Sequence, residues 1–189
     1  MSQRPTSPPA PRGLRQGGFN LIELMIVIAI AAIGLSLALP SYTDAMARNR
    51  IASTANDFVA SVMYARTEAL QRNTTTGLCA SLDKTSCAGT WSDGWIVWAD
   101  IDRDGALSTA EVLRQGSVSS KDSLTSSITD AIEFGPRGIP SVGVVGEIEA
   151  PFVLQPKECE ADKPFRRVLT VTGTGQVRTA RDSESMKCT

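Results

Sequence analysis

The sequence has no histidine among its 189 residues, and this absence excludes several common kinds of site. Ser-His-Asp and Cys-His nucleophile systems need an imidazole base, and His-ligated zinc needs an imidazole nitrogen. Net charge is also almost absent, because 19 Lys and Arg face 20 Asp and Glu. A globally basic nucleic-acid binder is therefore excluded. The remaining composition, with 42% hydrophobic residues, is typical of a single folded domain.

A long apolar run lies close to the N-terminus. Residues 21–39, LIELMIVIAIAAIGLSLAL, contain one charged side chain, Glu23. A helix of this length spans about 28 Å, roughly the thickness of the hydrocarbon core of a bilayer. A removable secretory signal, for which Ala45-Met46-Ala47 would be the cleavage site, has a shorter apolar stretch. We therefore predict one membrane-spanning helix.

Glu23 is unusual because it lies inside this apolar run. A charged side chain at membrane depth costs about 2.5–3.5 kcal/mol on insertion scales, so a partner is expected. A cut between Gly18 and Phe19 would create a positive α-amino group four residues before Glu23. The two charges could pair within one helix or set the register between neighbouring subunits. The alternative is that Glu23 extends to the nearby lipid headgroups.

The stretch Gly17-Gly18-Phe19-Asn20-Leu21-Ile22-Glu23-Leu24 and its apolar continuation closely resemble the class III signal of type IV pilins and type II secretion pseudopilins. The resemblance implies that a prepilin peptidase cuts after Gly18 and methylates Phe19. Residues 1–18 would then be a leader, 19–40 the transmembrane and filament-core half of a long helix, and 41–189 a periplasmic globular domain. Single-pass anchoring in the inner membrane follows, with later incorporation into a pilus or pseudopilus.

Downstream of the apolar run, the pattern changes from helical to strand-like. One apolar stripe continues a helix to about residue 73, and it comprises Ile51, Ala55, Phe58, Val62, Ala65 and Ala69. Short β-like runs follow between turn signals, at 74–80, 94–99, 111–116, 131–134, 141–145, 151–155, 166–172 and 176–180. We predict an α+β fold in which the long N-terminal helix packs on an antiparallel β-sheet domain, as the resemblance to type IV pilins also implies.

Four cysteines lie in the strand-rich part, at positions 79, 87, 159 and 188. They allow three disulfide connectivities, of which Cys79–Cys87 with Cys159–Cys188 closes the simplest loops. Disulfides are the expected state on an oxidising, periplasmic side. A site holding a metal through all four thiolates is the alternative, although no Cys-x-x-Cys pair is present.

Later motifs narrow the resemblance. The segments Trp91-Ser92-Asp93-Gly94-Trp95-Ile96-Val97-Trp98 and Phe134-Gly135-Pro136-Arg137-Gly138 are similar to those of GspH/FimT-type minor pilins. That group implies a structural, non-enzymatic protein that helps to initiate pilus assembly in a tip or priming complex, supporting adhesion and twitching motility. Its partners would be other minor and major pilins, the prepilin peptidase and the assembly platform of the inner membrane. A type II secretion pseudopilin of the GspH kind is the alternative. We predict that the three tryptophans pack in the sheet core.

The segment 100–111 matches a calcium-loop pattern. Asp100, Asp102 and Asp104 alternate, Gly105 follows, and Glu111 occupies the twelfth position. Together with the carbonyl of Ala106, these residues are the candidate ligands for Ca²⁺, the one cofactor that the sequence indicates. The flanking segments are strand-like rather than helical, so a solvated hairpin connection is the alternative.

The C-terminal part is locally basic. Four arginines are candidate contacts to a nucleic-acid backbone, namely Arg166, Arg167, Arg178 and Arg181. Some FimT-type proteins, which this chain resembles, bind DNA through a Gly-Arg-x-Arg motif. Here the matching stretch is Gly175-Gln176-Val177-Arg178. Gln176 stands where the motif has its first arginine, so Arg178 is the one motif arginine that this sequence has. The alternative is that the arginines are solvated charges at the strand edges.

Overall fold

The structure is a computed structural model that describes residues 18, 20–129, 131–142, 151–161, 163–180 and 187–188. Its first element is one helix, α1 (Leu21–Arg72). The carbonyl of Asn20 accepts a hydrogen bond from the N–H of Glu23 at 3.0 Å, which marks the start of the helix. Asn73 follows the last turn with φ of +53°, the left-handed conformation that commonly ends helices.

The chain comprises two compact units, the first ending at Tyr42 and the second comprising Thr43–Thr189. In the first unit the apolar side chains of α1 are exposed, from 53% for Ile26 to 75% for Leu21. The most apolar 18-residue window of α1 has a mean hydropathy of 2.6. By length and composition alone, this helix is long and apolar enough to cross a membrane.

The second unit contains the rest of α1 and two antiparallel sheets. The strands are β1 (Thr76–Ala80), β2 (Trp95–Ala99), β3 (Val112–Gly116), β4 (Asp122–Ser126), β5 (Ile132–Phe134), β6 (Pro140–Val142), β7 (Pro151–Pro156), β8 (Arg167–Val171) and β9 (Val177–Thr179). Short 3-10 helices at Trp91–Asp93 and Thr109–Glu111 precede β2 and β3. The five-stranded sheet has the order β3-β2-β1-β5-β6, and the four-stranded sheet has the order β4-β7-β8-β9.

The main core lies between the second half of α1 and the sheets. All six residues of the predicted helical stripe are buried, with exposures of 6% or less. They join one cluster with side chains from both sheets, including Trp95, Phe134 and Leu169. Phe58 forms edge contacts with Trp91 and Trp95, with ring centroids 6.0 and 5.3 Å apart. The predicted α+β architecture is therefore confirmed.

Two tryptophans of β2 lie on opposite faces of the five-stranded sheet, and each covers a glycine on a neighbouring strand. Trp95 is paired with Gly116 of β3 and faces the main core. Trp98 is paired with Gly77 of β1 and faces a second cluster with Ile96. A Cβ atom at either glycine would overlap the indole ring, so each ring requires the absence of a side chain opposite it. The predicted packing of the tryptophans in the core is confirmed.

The eight predicted strands are all present, with bounds that differ by up to two residues where the structure describes them. Residues 143–145 of the fifth predicted strand lie outside the described residues. The structure adds one strand that was not predicted, β4, whose sequence is DSLTS. Four of its five residues are polar, and Thr125 is its one β-branched residue, so it carries little of the β-branched and aromatic signal from which strands are predicted.

Candidate functional site

The candidate processing and assembly residues lie at the start of α1. Gly18 is exposed, and Phe19 lies outside the described residues. Glu23 is exposed in the first turn of α1. A carboxylate near a helix N-terminus interacts favourably with the helix dipole and with a positive charge placed there. The position of Glu23 therefore suits it to pair with a nearby amino group.

Exposed apolar side chains surround Glu23 along the helix. Leu24, Met25, Ile26 and Val27 follow it, with exposures between 53% and 58%. Contiguous apolar surface of this extent is rare on soluble monomers and indicates contact with lipid or with other apolar helices. This part of α1 can therefore serve as a membrane anchor or as a packing surface.

The structure joins Cys79 to Cys87 and Cys159 to Cys188. The first disulfide closes a short loop after β1, and Cys79 itself is buried beside Trp98. The second attaches residues 187–188 to the loop that follows β7. Of the three connectivities that the sequence allows, the structure has the sequential one.

The segment after β7 is also held to α1. The ammonium of Lys163 forms an ion pair with Asp44 at 2.8 Å, and its carbonyl accepts the N–H of Cys188 at 3.1 Å. The hydrogen bond to Asp44 raises the pKa of Lys163. The C-terminal disulfide and this ion pair thus connect the C-terminal segment to the helix.

Lys84 is a structural residue that the sequence analysis missed. Its ammonium donates hydrogen bonds to the carbonyls of Ser81, Asp93 and Gly116, at 3.0, 2.9 and 3.0 Å. Burial lowers the pKa of Lys84. The side chain connects the disulfide loop, the first 3-10 helix and β3. Because these acceptors are separated by up to 35 positions in the chain, no local motif could have indicated them.

The candidate calcium loop forms the connection between β2 and β3. An oxygen of each of the Asp100, Asp102 and Asp104 carboxylates lies within 4.8 Å of the other two. Asp102 Oδ1 accepts the N–H of Asp104 at 3.2 Å, and Asp104 Oδ1 accepts the N–H of Ala106 at 2.8 Å. Gly105 has a φ of +77°, which allows the sharp turn that the motif requires. The structure therefore brings the side chains of three of the five candidate ligands, Asp100, Asp102 and Asp104, into one cluster, and the N–H of Ala106 donates to one of them.

Glu111 does not join this cluster. Its Oε1 accepts the N–H of Ile101 at 2.6 Å, and its Oε2 accepts the N–H and hydroxyl of Ser108 at 2.9 and 3.0 Å. The hydrogen bonds from the Ser108 and Ile101 N–H groups lower the pKa of Glu111. Glu111 is thus a buried cap that closes the base of the loop, and the expected five-residue ligand set is reduced by one side chain.

The structure places two of the candidate DNA-binding arginines, Arg167 and Arg178, on opposite faces of the four-stranded sheet. Arg178 of β9 is exposed and pairs with Thr170 of β8. Arg167 has the same strand parity as buried Leu169, so it projects from the opposite face to Thr170 and Arg178. Arg166 is half-buried just before β8. Arg181 lies outside the described residues.

Comparison with known proteins identifies the family. The model of the family described as Type II transport protein GspH matches residues 54–175, and that of the prokaryotic N-terminal methylation motif matches residues 13–39. Three fimbrial proteins share a short segment with the chain. EcpC of Eikenella corrodens is 54% identical over 41 residues, EcpB of the same organism is 60% identical over 37, and a fimbrial protein of Moraxella nonliquefaciens is 58% identical over 36.

The matched segment covers 19–22% of this chain and 23–27% of these fimbrial relatives, so the chain aligns with about a quarter of their length. Among solved structures, two crystal forms of the type IV minor pilin FimU of Pseudomonas aeruginosa share the fold. Their TM-scores are 0.53 and 0.50, at 22% and 21% identity. They are covered to 92% and 93%, and they cover 72% and 70% of this chain. Because the GspH model alone matches more than half of the residues, this chain belongs to the GspH family of type IV pilin-like proteins, which are structural and non-enzymatic.

Proposed function

We propose that this protein is a minor type IV pilin that takes part in initiating pilus assembly, in a tip or priming complex. In this proposal a prepilin peptidase cleaves between Gly18 and Phe19 and methylates the new N-terminus. The apolar segment 21–39 anchors the protein in the inner membrane until the assembly platform transfers it into a filament. The second unit, with its two disulfides, then faces the oxidising periplasm.

The observation that carries the proposal is Glu23, an exposed carboxylate inside an exposed apolar helix and within the stretch that matches the N-terminal methylation motif. In lipid, an unpaired carboxylate is unfavourable, and so is the uncovered apolar surface around it in water. A bundle of similar helices removes both costs. Apolar surfaces then cover one another, and each Glu23 meets the α-amino group of a neighbour's Phe19.

This pairing would also fix the register of a new subunit. Within one chain, the α-amino group and Glu23 are separated by four residues, or about 6 Å along a helix. A neighbouring subunit displaced by a similar axial distance can bring the opposite charges into contact. A docking subunit without the Glu23 charge would therefore leave the α-amino group of its neighbour unpaired. The Coulomb energy lost in this way is largest in a low-dielectric environment.

The proposal is tested in a deletion strain of the host, complemented with the wild type, Glu23→Gln or Gly18→Val. Surface pili are sheared and the pilin is quantified in the sheared fraction. Processing is followed by the size of the protein on gels. We expect the deletion to lose pili, the wild type to restore them, Glu23→Gln to be processed but not to restore them, and Gly18→Val to retain the leader.

Glu160→Gln is a matched control, because it removes one carboxylate that is exposed in the second unit. We expect it to restore pili as the wild type does. Full restoration by Glu23→Gln would contradict the role of the carboxylate in docking. Normal pili in the deletion strain would contradict the role in initiation.

The match to the family described as Type II transport protein GspH favours a second candidate function. In it, the same processed helix enters a short periplasmic filament of a type II secretion system. The same deletion strain separates the two candidates if secreted protein is measured beside surface pili. Lost secretion with normal pili would favour the secretion filament, and lost pili with normal secretion would favour the pilus.

A further inference from the structure

The connection between β2 and β3, residues 100–108, has a firmly held base. The N–H of Asp100 donates to the carbonyl of Thr75 at 2.9 Å, and the Asp100 carbonyl accepts the hydroxyl of Thr74 at 2.5 Å. Glu111 binds the N–H groups of Ile101 and Ser108, one at each end of the loop. These contacts hold the ends of the loop together without using the carboxylates of Asp100, Asp102 and Asp104.

Asp100 has a buried carboxylate oxygen without a partner. The residue is 8% exposed, and among the residues that the structure describes no donor lies within hydrogen-bonding distance of its Oδ1. An unpaired, buried carboxylate oxygen is unfavourable, because it has lost its water without gaining another partner. The Asp100 carboxylate is nevertheless part of the cluster with the exposed carboxylates of Asp102 and Asp104. A cation bound by all three carboxylates would supply a partner for the Asp100 side chain.

We propose that Asp100, Asp102 and Asp104 bind one calcium ion in this loop. Two oxygens bound to the same Ca²⁺ at about 2.4 Å are at most about 4.8 Å apart, and the three carboxylates are already that close. The carbonyl of Ala106 and water molecules complete the six to eight oxygen ligands that calcium takes. Glu111 stays in its place as the cap of the loop.

Calcium is favoured over magnesium by the form of the loop. Magnesium requires a nearly ideal octahedron at 2.0–2.1 Å and gives up its water reluctantly. The loop is short, and Asp102 and Asp104 each already accept a hydrogen bond from a backbone N–H of the loop, so their carboxylates are not free to adopt an octahedral arrangement. The ligand cluster therefore suits calcium, whose coordination geometry is more variable. Two of the three carboxylates are exposed, so we expect a dissociation constant of about 10⁻⁴–10⁻³ M, as in extracellular modules.

Binding would stabilise the outer face of the five-stranded sheet. Leu107, within the loop, packs on the cluster formed by Cys79, Ile96 and Trp98. An ion that fixes residues 100–106 restricts the movement of Leu107 away from this cluster. Since the ion binds the folded loop and not the unfolded chain, calcium should raise the unfolding temperature of the second unit.

The experiment follows thermal unfolding of the full chain in detergent micelles by tryptophan fluorescence, because all three tryptophans lie in the second unit. With about 10 mM Ca²⁺, we expect the unfolding temperature to rise by about 3–10 °C, and with the same Mg²⁺ by much less. The test variant is Asp102→Asn with Asp104→Asn. Asparagine keeps an acceptor oxygen for the turn hydrogen bonds but removes two of the three charges from the ligands.

A matched control, Glu158→Gln with Glu160→Gln, removes the same number of exposed carboxylates from another loop. We expect the control to keep the calcium shift and the test variant to lose it, each measured against the same variant without calcium. The proposal is overturned if calcium does not stabilise the wild type, if magnesium stabilises it equally, or if the test variant retains the shift.

Discussion

Arg50 of α1 and Asp122 of β4 form an ion pair that is deeply buried on the Asp122 side. The guanidinium donates from Nε and Nη2 to the two carboxylate oxygens, at 2.6 and 2.7 Å. The Asp122 side chain is fully buried, whereas that of Arg50 is 29% exposed. We expect Arg50→Met to keep the packing of the aliphatic stem and to leave a buried carboxylate without a counter-charge.

The cost of breaking such a pair is about 3–5 kcal/mol when both partners are buried. Because Arg50 is partly exposed, water can reach the vacated space, and we expect a smaller loss of about 3 kcal/mol. For a unit of this size, that loss lowers the unfolding temperature by about 6–12 °C. The measurement is thermal unfolding of the full chain in detergent, followed by tryptophan fluorescence.

A second ion pair on α1 supplies the control. Arg114 and Asp57 are 2.6 Å apart, but their side chains are 36% and 40% exposed, so Arg114→Met should cost about 0–1 kcal/mol. Adding Asp122→Asn to Arg50→Met removes the stranded charge and should recover part of the loss. Equal losses from Arg50→Met and Arg114→Met, or no recovery in the double variant, would refute the reasoning.

Three further changes have expected outcomes. Backbone N–H groups lower the pKa of Glu111, so the stability that its ionised carboxylate contributes is lost as pH falls below about 4.3. In Glu111→Gln, which has no such carboxylate, the unfolding temperature should therefore decrease less over this acidic range. Replacing the cysteines of the Cys159–Cys188 disulfide by serines should lower the free energy of unfolding by about 3.5 kcal/mol, and the same change at Cys79–Cys87 by about 2.5 kcal/mol. The first loss is larger because that disulfide closes the longer loop, and thermal unfolding measures both. If the chain binds DNA, Arg178→Ala should weaken salt-sensitive binding in gel-shift titrations, whereas unchanged binding would exclude Arg178 from the contact.

The helix and its buried face could be predicted because their signal is local. The apolar stripe from Ile51 to Ala69 repeats with the period of an α-helix, and each member is buried where the period requires. The strand β4 could not be predicted in this way. It is an edge strand, and Leu124 is its one buried apolar residue. Its extended conformation therefore depends on its pairing with β7, which its own residues do not indicate.

In the candidate site too, some features follow from local spacing and others depend on tertiary pairing. The spacing of the acidic residues indicated that Asp100, Asp102 and Asp104 would meet, because alternate residues of a tight loop point to one side. Spacing could not show that Glu111 turns back to the backbone of Ile101 and Ser108, since that choice depends on how the two ends of the loop are paired. Strand register likewise determines that Arg167 and Arg178 project from opposite faces, and register is a property of the hairpin rather than of the charge pattern.

The contacts of α1 within the second unit have a mechanical consequence. Polar links attach the helix to the sheets and their loops at Asp44, Arg50, Asp57, Ala65 and Arg66. These positions extend over about 33 Å of helix. A tensile load along the helix axis is therefore shared by all of these links in shear, instead of breaking them one at a time. Sliding of the helix along the sheets would thus require several of these links to break together.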